Sequence, residues 1–66
     1  MTALRNDMIR RLREAAGLTQ EKLAEAAGVS PLSIRNIETG RTCNPTVRTL
    51  AAIARALGVS TDNLVA

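Results

Sequence analysis

Apolar residues recur along this chain at helical spacing, and no stretch alternates apolar and polar positions as a half-buried strand would. Leu4, Met8, Ile9, Leu12 and Ala16 fall on one side of a helix running from about Ala3 to Ala16. Gly17 follows, where a left-handed terminating residue is expected. Thr19 then caps a second helix, Gln20 to Ala27, with Glu21 near its positive end; Leu23, Ala24 and Ala27 form its inner face, and Gly28 stops it. Ser30-Pro31 reads as a cap followed by proline at the first helical position, where no intrahelical N–H is needed. The third helix runs to Thr39 and ends at Gly40. A polar loop, Arg41-Thr42-Cys43-Asn44-Pro45, leads to Thr46, the expected cap of a fourth helix. There Val47, Leu50, Ile53, Ala54 and Leu57 make an apolar stripe that Gly58 ends. Ser60 is the expected cap of a last turn, Thr61 to Leu64.

The pattern predicts an all-α fold of five short helices. Helices of at most about four turns cannot make an up-down bundle of long rods, so they must cross steeply around one shared core. Leu12, Leu18, Leu23, Ala24, Val29, Ile34, Ile37, Leu50, Ile53, Leu57 and Val59 are the residues expected in it. No linker, repeat or low-complexity segment divides the 66 residues, so residues 1–66 read as a single domain. A chain this short buries only about 60% of its unfolded surface.

Composition narrows the chemistry. Nine Lys and Arg against six Asp and Glu leave a net charge of +3, with no His, no aromatic residue and one Cys. One Cys cannot close an intrachain disulfide, and zinc has no ligand set. The missing His removes the commonest general base, and so small a helical chain leaves little room for a catalytic pocket, so an enzyme is not expected. Aromatic stacking on single strands is excluded. No apolar run is long enough to cross a membrane, and Arg5, Asp7, Arg10 and Arg11 interrupt any secretory h-region. A cytoplasmic, mildly basic module is the expectation, with no cofactor, metal or small-molecule ligand evident. Cys43 reads as a loop bystander.

Helices two and three are separated only by Gly28-Val29-Ser30, which forces a steep crossing. Ala24 must be small where helix three packs over it, Gly28 supplies a positive φ, and Ile34 and Ile37 face inward. A helix-turn-helix and an ordinary helical hairpin both answer to this description. The wider pattern adds Gly17-Leu18-Thr19-Gln20-Glu21-Lys22-Leu23-Ala24, Ala27-Gly28-Val29-Ser30, Ile34-Arg35-Asn36-Ile37-Glu38-Thr39-Gly40, Asn44-Pro45 and Ala54-Arg55-Ala56-Leu57-Gly58-Val59-Ser60. With these, the chain resembles the phage-repressor and Cro-like (xenobiotic-response-element) helix-turn-helix family over about residues 4 to 64. The resemblance implies a compact five-helix, lambda-repressor-like DNA-binding domain. It also implies a symmetric homodimer acting on palindromic double-stranded operators as a transcriptional repressor or controller.

On a helical wheel, Ile34, Ile37 and Glu38 share one face of helix three with Ser30, while Leu32, Asn36 and Thr39 lie opposite, flanked by Ser33 and Arg35. By position, the resemblance makes Pro31, Leu32, Ser33 and Asn36 the base-contacting residues in the major groove. Many relatives carry amides or Arg at the first two sites. Pro31 and Leu32 offer only van der Waals contact, to thymine methyls for example, so hydrogen-bonded readout falls to Asn36, which can pair bidentately with adenine, and to the less selective Ser33. More of the specificity then rests on DNA shape. Gln20 and Ser30, at two helix starts, and Arg35, Arg41, Thr42 and Asn44 are the expected backbone contacts. Between Ser30 and Arg48, Arg35, Arg41 and Arg48 oppose Glu38 alone, a local balance of +2.

The resemblance also implies an ion pair between Arg13 and Glu38, bracing helix one against the recognition helix. Leu57, Val59, Leu64 and Val65 are the residues expected at a dimer interface. A protein-interaction module, an antitoxin, and a DNA-binding domain cut from a longer regulator are the alternatives.

Overall fold

The computed structural model describes residues 4–42 and 45–65. They form four α-helices and one 3₁₀ turn: α1 (Asn6–Ala15), α2 (Gln20–Ala27), α3 (Pro31–Glu38), α4 (Val47–Leu57) and the turn Thr61–Leu64. The expected fifth helix is therefore a single 3₁₀ turn. α2 packs against both α3 and α4, while α1 rests on α3 and on the terminal turn, which also touches α4.

Local chemistry accounts for most boundaries. Thr19, Ser30 and Thr46 are extended residues whose hydroxyls accept from the N–H of Lys22, Ser33 and Thr49, each at 3.1 Å. Each supplies one of the acceptors that the first turn lacks. Helix ends repeat a second device. The N–H groups of Leu18, Val29 and Val59, each just past a glycine, reach back to the carbonyls of Arg13, Ala24 and Ala54 at 3.0 Å. This wrap needs a left-handed residue before the apolar one, and Gly28 takes it at φ 70°. The apolar residues that follow, Leu18, Val29 and Val59, pack on the core.

The core proper is Ile9, Leu23, Ala24, Ile34, Ile37, Ile53, Ala54 and Leu64. Leu12, Leu18, Val29, Leu50, Leu57 and Val59, expected inside, form a partly buried rim around it, whereas Ile9, Ala54 and Leu64 complete its centre. Val47, counted in the α4 stripe, is 83% exposed. It opens α4, a full turn short of the stripe's first packed residue, Leu50.

Two further departures have tertiary causes. α1 begins at Asn6 rather than near Ala3, because residue 4 is drawn into an antiparallel bridge with Val65, and the Arg5 N–H donates to the Leu64 carbonyl at 2.8 Å. That same closure leaves Leu64 with no exposed surface, so it belongs to the monomer's core and has nothing to give a dimer face. Ser60 caps nothing with its side chain; its hydroxyl donates to Asn63 Oδ1 at 2.9 Å. Among the described residues no helix is long and apolar enough to cross a membrane. The expectations placed on Cys43 and Asn44 lie outside the described residues.

Candidate nucleic-acid interface

α3 divides its residues between two surfaces. Ile34 and Ile37 are 0% and 2% exposed, which leaves Leu32, at 62%, pointing into solvent. Leu32 lines one hollow with Gln20, Glu21, Pro31 and Arg35, and a second with Arg35, Asn36, Thr39 and Arg41. The structure thus brings Pro31, Leu32, Asn36, Gln20, Arg35 and Arg41 to one continuous surface.

The hydrogen-bonding groups on that surface are unequal. The Asn36 amide makes no side-chain hydrogen bond among the described residues, so both its donor and its acceptor are available to a base edge. Ser33 is differently placed: its hydroxyl lies 2.9 Å from that of Ser30, so two expected contact residues engage each other and their capacity for DNA is shared. Thr42 is half-buried, and its N–H donates to the Asn36 carbonyl at 3.0 Å, which folds the loop back onto the end of α3.

Charge on this face sets Arg35 and Arg41 against one exposed acid, Glu21, which lines the same hollow as Leu32 and Arg35. Arg35, Arg41 and Arg48 are exposed, and none has an ion pair among the described residues. Glu38, the one acid between them, is turned away. Its side chain is 3% exposed and meets Arg13, 11% exposed, through two hydrogen bonds, Nε to Oε2 at 2.6 Å and Nη2 to Oε1 at 3.1 Å. Arg13 also donates to the Leu18 carbonyl at 2.8 Å. The hydrogen bond to Glu38, more than any other influence, raises the Arg13 pKa above its ordinary value.

Two contacts were not legible in the chain. Gln20 Nε2 donates to Glu38 Oε1 at 3.1 Å, joining an expected phosphate contact to the ion pair. Asn6 Nδ2 donates to the Ile37 carbonyl at the end of α3, which also accepts from the Gly40 N–H at 3.3 Å. Both link residues far apart in sequence, and no local spacing signals them.

A capped helix, a glycine turn and a second helix that carries Leu32, Arg35 and Asn36 on its outer face define a helix-turn-helix domain. The Helix-turn-helix family profile matches residues 9–64, and the chain belongs to that family. It is 49% identical over 55 residues to an uncharacterized HTH-type transcriptional regulator, y4dJ, of Sinorhizobium fredii, covering 83% of this chain and 70% of that protein. Among solved structures it is similar to the restriction-modification controller protein C.AhdI from Aeromonas hydrophila, with a TM-score of 0.84 at 29% identity, covering 88% of this chain and 86% of that one. It is also similar to the P22 c2 repressor in complex with a synthetic operator, with a TM-score of 0.83 at 32% identity over 89% and 88% of the two chains.

Proposed function

We propose that residues 1–66 act as one cytoplasmic DNA-binding domain that regulates transcription, as a homodimer on a palindromic duplex site. The observation that carries this reading is the outer face of α3, where Leu32 and Asn36 share a surface with the exposed Arg35 and Arg41, and Glu21 of α2 is the exposed acid at its edge. α3 lies in the major groove. Pro31 and Leu32 meet thymine methyls, Asn36 pairs with an adenine, and Ser33 adds a weakly selective hydroxyl. Gln20, Ser30, Arg35, Arg41 and Thr42 hold the backbone, and supply most of the affinity without reading sequence. Leu57, Val59 and Val65, each half-buried on the monomer, are the apolar groups left for a two-fold contact.

The test is a duplex-binding titration at several salt concentrations. Affinity falls steeply as salt rises, with a log–log slope of about −2 per protomer if Arg35 and Arg41 each neutralise one phosphate. Indifference to duplex at low salt would instead make the α3 face a protein-docking surface.

A further inference from the structure

Glu38 joins two features that lie apart in the sequence, an ion pair and a residue at the DNA face. Its Oε1 accepts from Arg13 Nη2 and from Gln20 Nε2, both at 3.1 Å, while Oε2 is taken by Arg13 Nε at 2.6 Å. A carboxylate held against a guanidinium has only acceptors to offer, so only the amino half of the Gln20 amide can face it. The amide is therefore oriented: its carbonyl is turned away from Glu38, and one N–H is left to donate elsewhere. Gln20 lines the hollow at the start of α3 with Glu21, Pro31, Leu32 and Arg35. Pro31 and Leu32 have no polar side-chain atom, so the Gln20 amide is a main source of neutral hydrogen bonding at that end of the face.

We propose that Glu38 is a positioning residue for DNA binding: through Gln20 it aims the remaining N–H at a phosphate, so the Arg13–Glu38 pair governs affinity as well as stability. This rests on the DNA-binding reading above. A glutamine held in place loses less rotamer freedom on binding than a free one, an advantage of about three- to tenfold in affinity.

The experiment separates positioning from bracing. Replacing both partners, Arg13→Met with Glu38→Leu, removes the hold on Gln20 without stranding a charge, and such exchanges are often neutral for stability. Gln20→Met is then made in the wild-type and in the doubly substituted background, with Arg41→Ala as a control in each. Duplex affinity is read by fluorescence anisotropy and folding by thermal melts. In the wild-type background Gln20→Met should weaken binding about three- to tenfold, and in the other background by less than about twofold. Arg41→Ala should cost the same factor in both. An equal loss for Gln20→Met in both backgrounds would overturn the proposal. Should the doubly substituted protein fail to fold, the side-chain amide of Gln20 in the wild-type protein decides. Two well-separated, slowly exchanging Nε2 protons support a held amide, and random-coil shifts defeat it. That spectrum needs no DNA, so a failure to bind any duplex would overturn the functional reading separately, whatever the amide shows.

Discussion

Arg13 and Glu38 sit where charge is hardest to lose. With 11% and 3% of their side chains exposed, neither finds water if its partner is removed. Arg13→Ala or Glu38→Ala should each cost about 3–5 kcal/mol. At about 4–8 °C per kcal/mol in a domain of this size, the melting temperature falls by more than about 10 °C. Arg5→Ala, on an exposed side chain, should change it hardly at all; equal effects in a calorimetric melt would mean that the pair is not a brace. Because the Arg13 pKa is raised on folding, the stability it contributes is fully present below its unfolded pKa, and is lost only as pH climbs through the still higher folded one. Stability from this group is therefore flat across the neutral range. The inward face of Glu38 could be read from its place beside Ile34 and Ile37 on the helical wheel. Its bond to Gln20 could not, since it depends on how α2 and α3 cross.

At the scale of elements, legibility followed the range of the forces. The starts of α2, α3 and α4 are set by hydroxyls three residues from the N–H they accept, so Thr19, Ser30 and Thr46 announce them locally. The start of α1 and the form of the last turn depend on the pairing of Leu4 with Val65, a contact between chain ends that no local pattern carries. Two substitutions probe these elements. Gly28 has open space where a Cβ would go, so Gly28→Ala should suffer only from the left-handed backbone, about 1–2 kcal/mol in a denaturant titration. A larger loss would point to a clash that the geometry lacks. Leu64 has no exposed surface, so Leu64→Ala should cost about 2–5 kcal/mol whatever the protein concentration. A loss that grows on dilution would return Leu64 to a subunit interface.

For the whole molecule, the proposed two-fold arrangement makes a geometric demand. Two copies of α3 must enter successive major grooves on one face of the duplex, with half-site centres about 34–36 Å apart. Inserting five base pairs between half-sites turns one of them by about half a helical turn, so cooperative binding by two protomers should be lost. Sedimentation on the two duplexes checks this, and a single protomer on the uninterrupted palindrome would defeat the dimer.

On the proposed reading, α3 both reads and positions, through different residues. Asn36→Ala should cost about 1–3 kcal/mol on the cognate duplex and relax preference at one base pair per half-site, with the salt slope unchanged. Arg41→Ala should weaken every sequence alike and flatten the slope by about one unit. The decisive measurement is therefore the ratio of cognate to scrambled duplex affinity for Asn36→Ala beside the wild type. That ratio should fall by about fivefold or more. An Asn36→Ala protein that keeps the wild-type ratio contradicts the proposed reading.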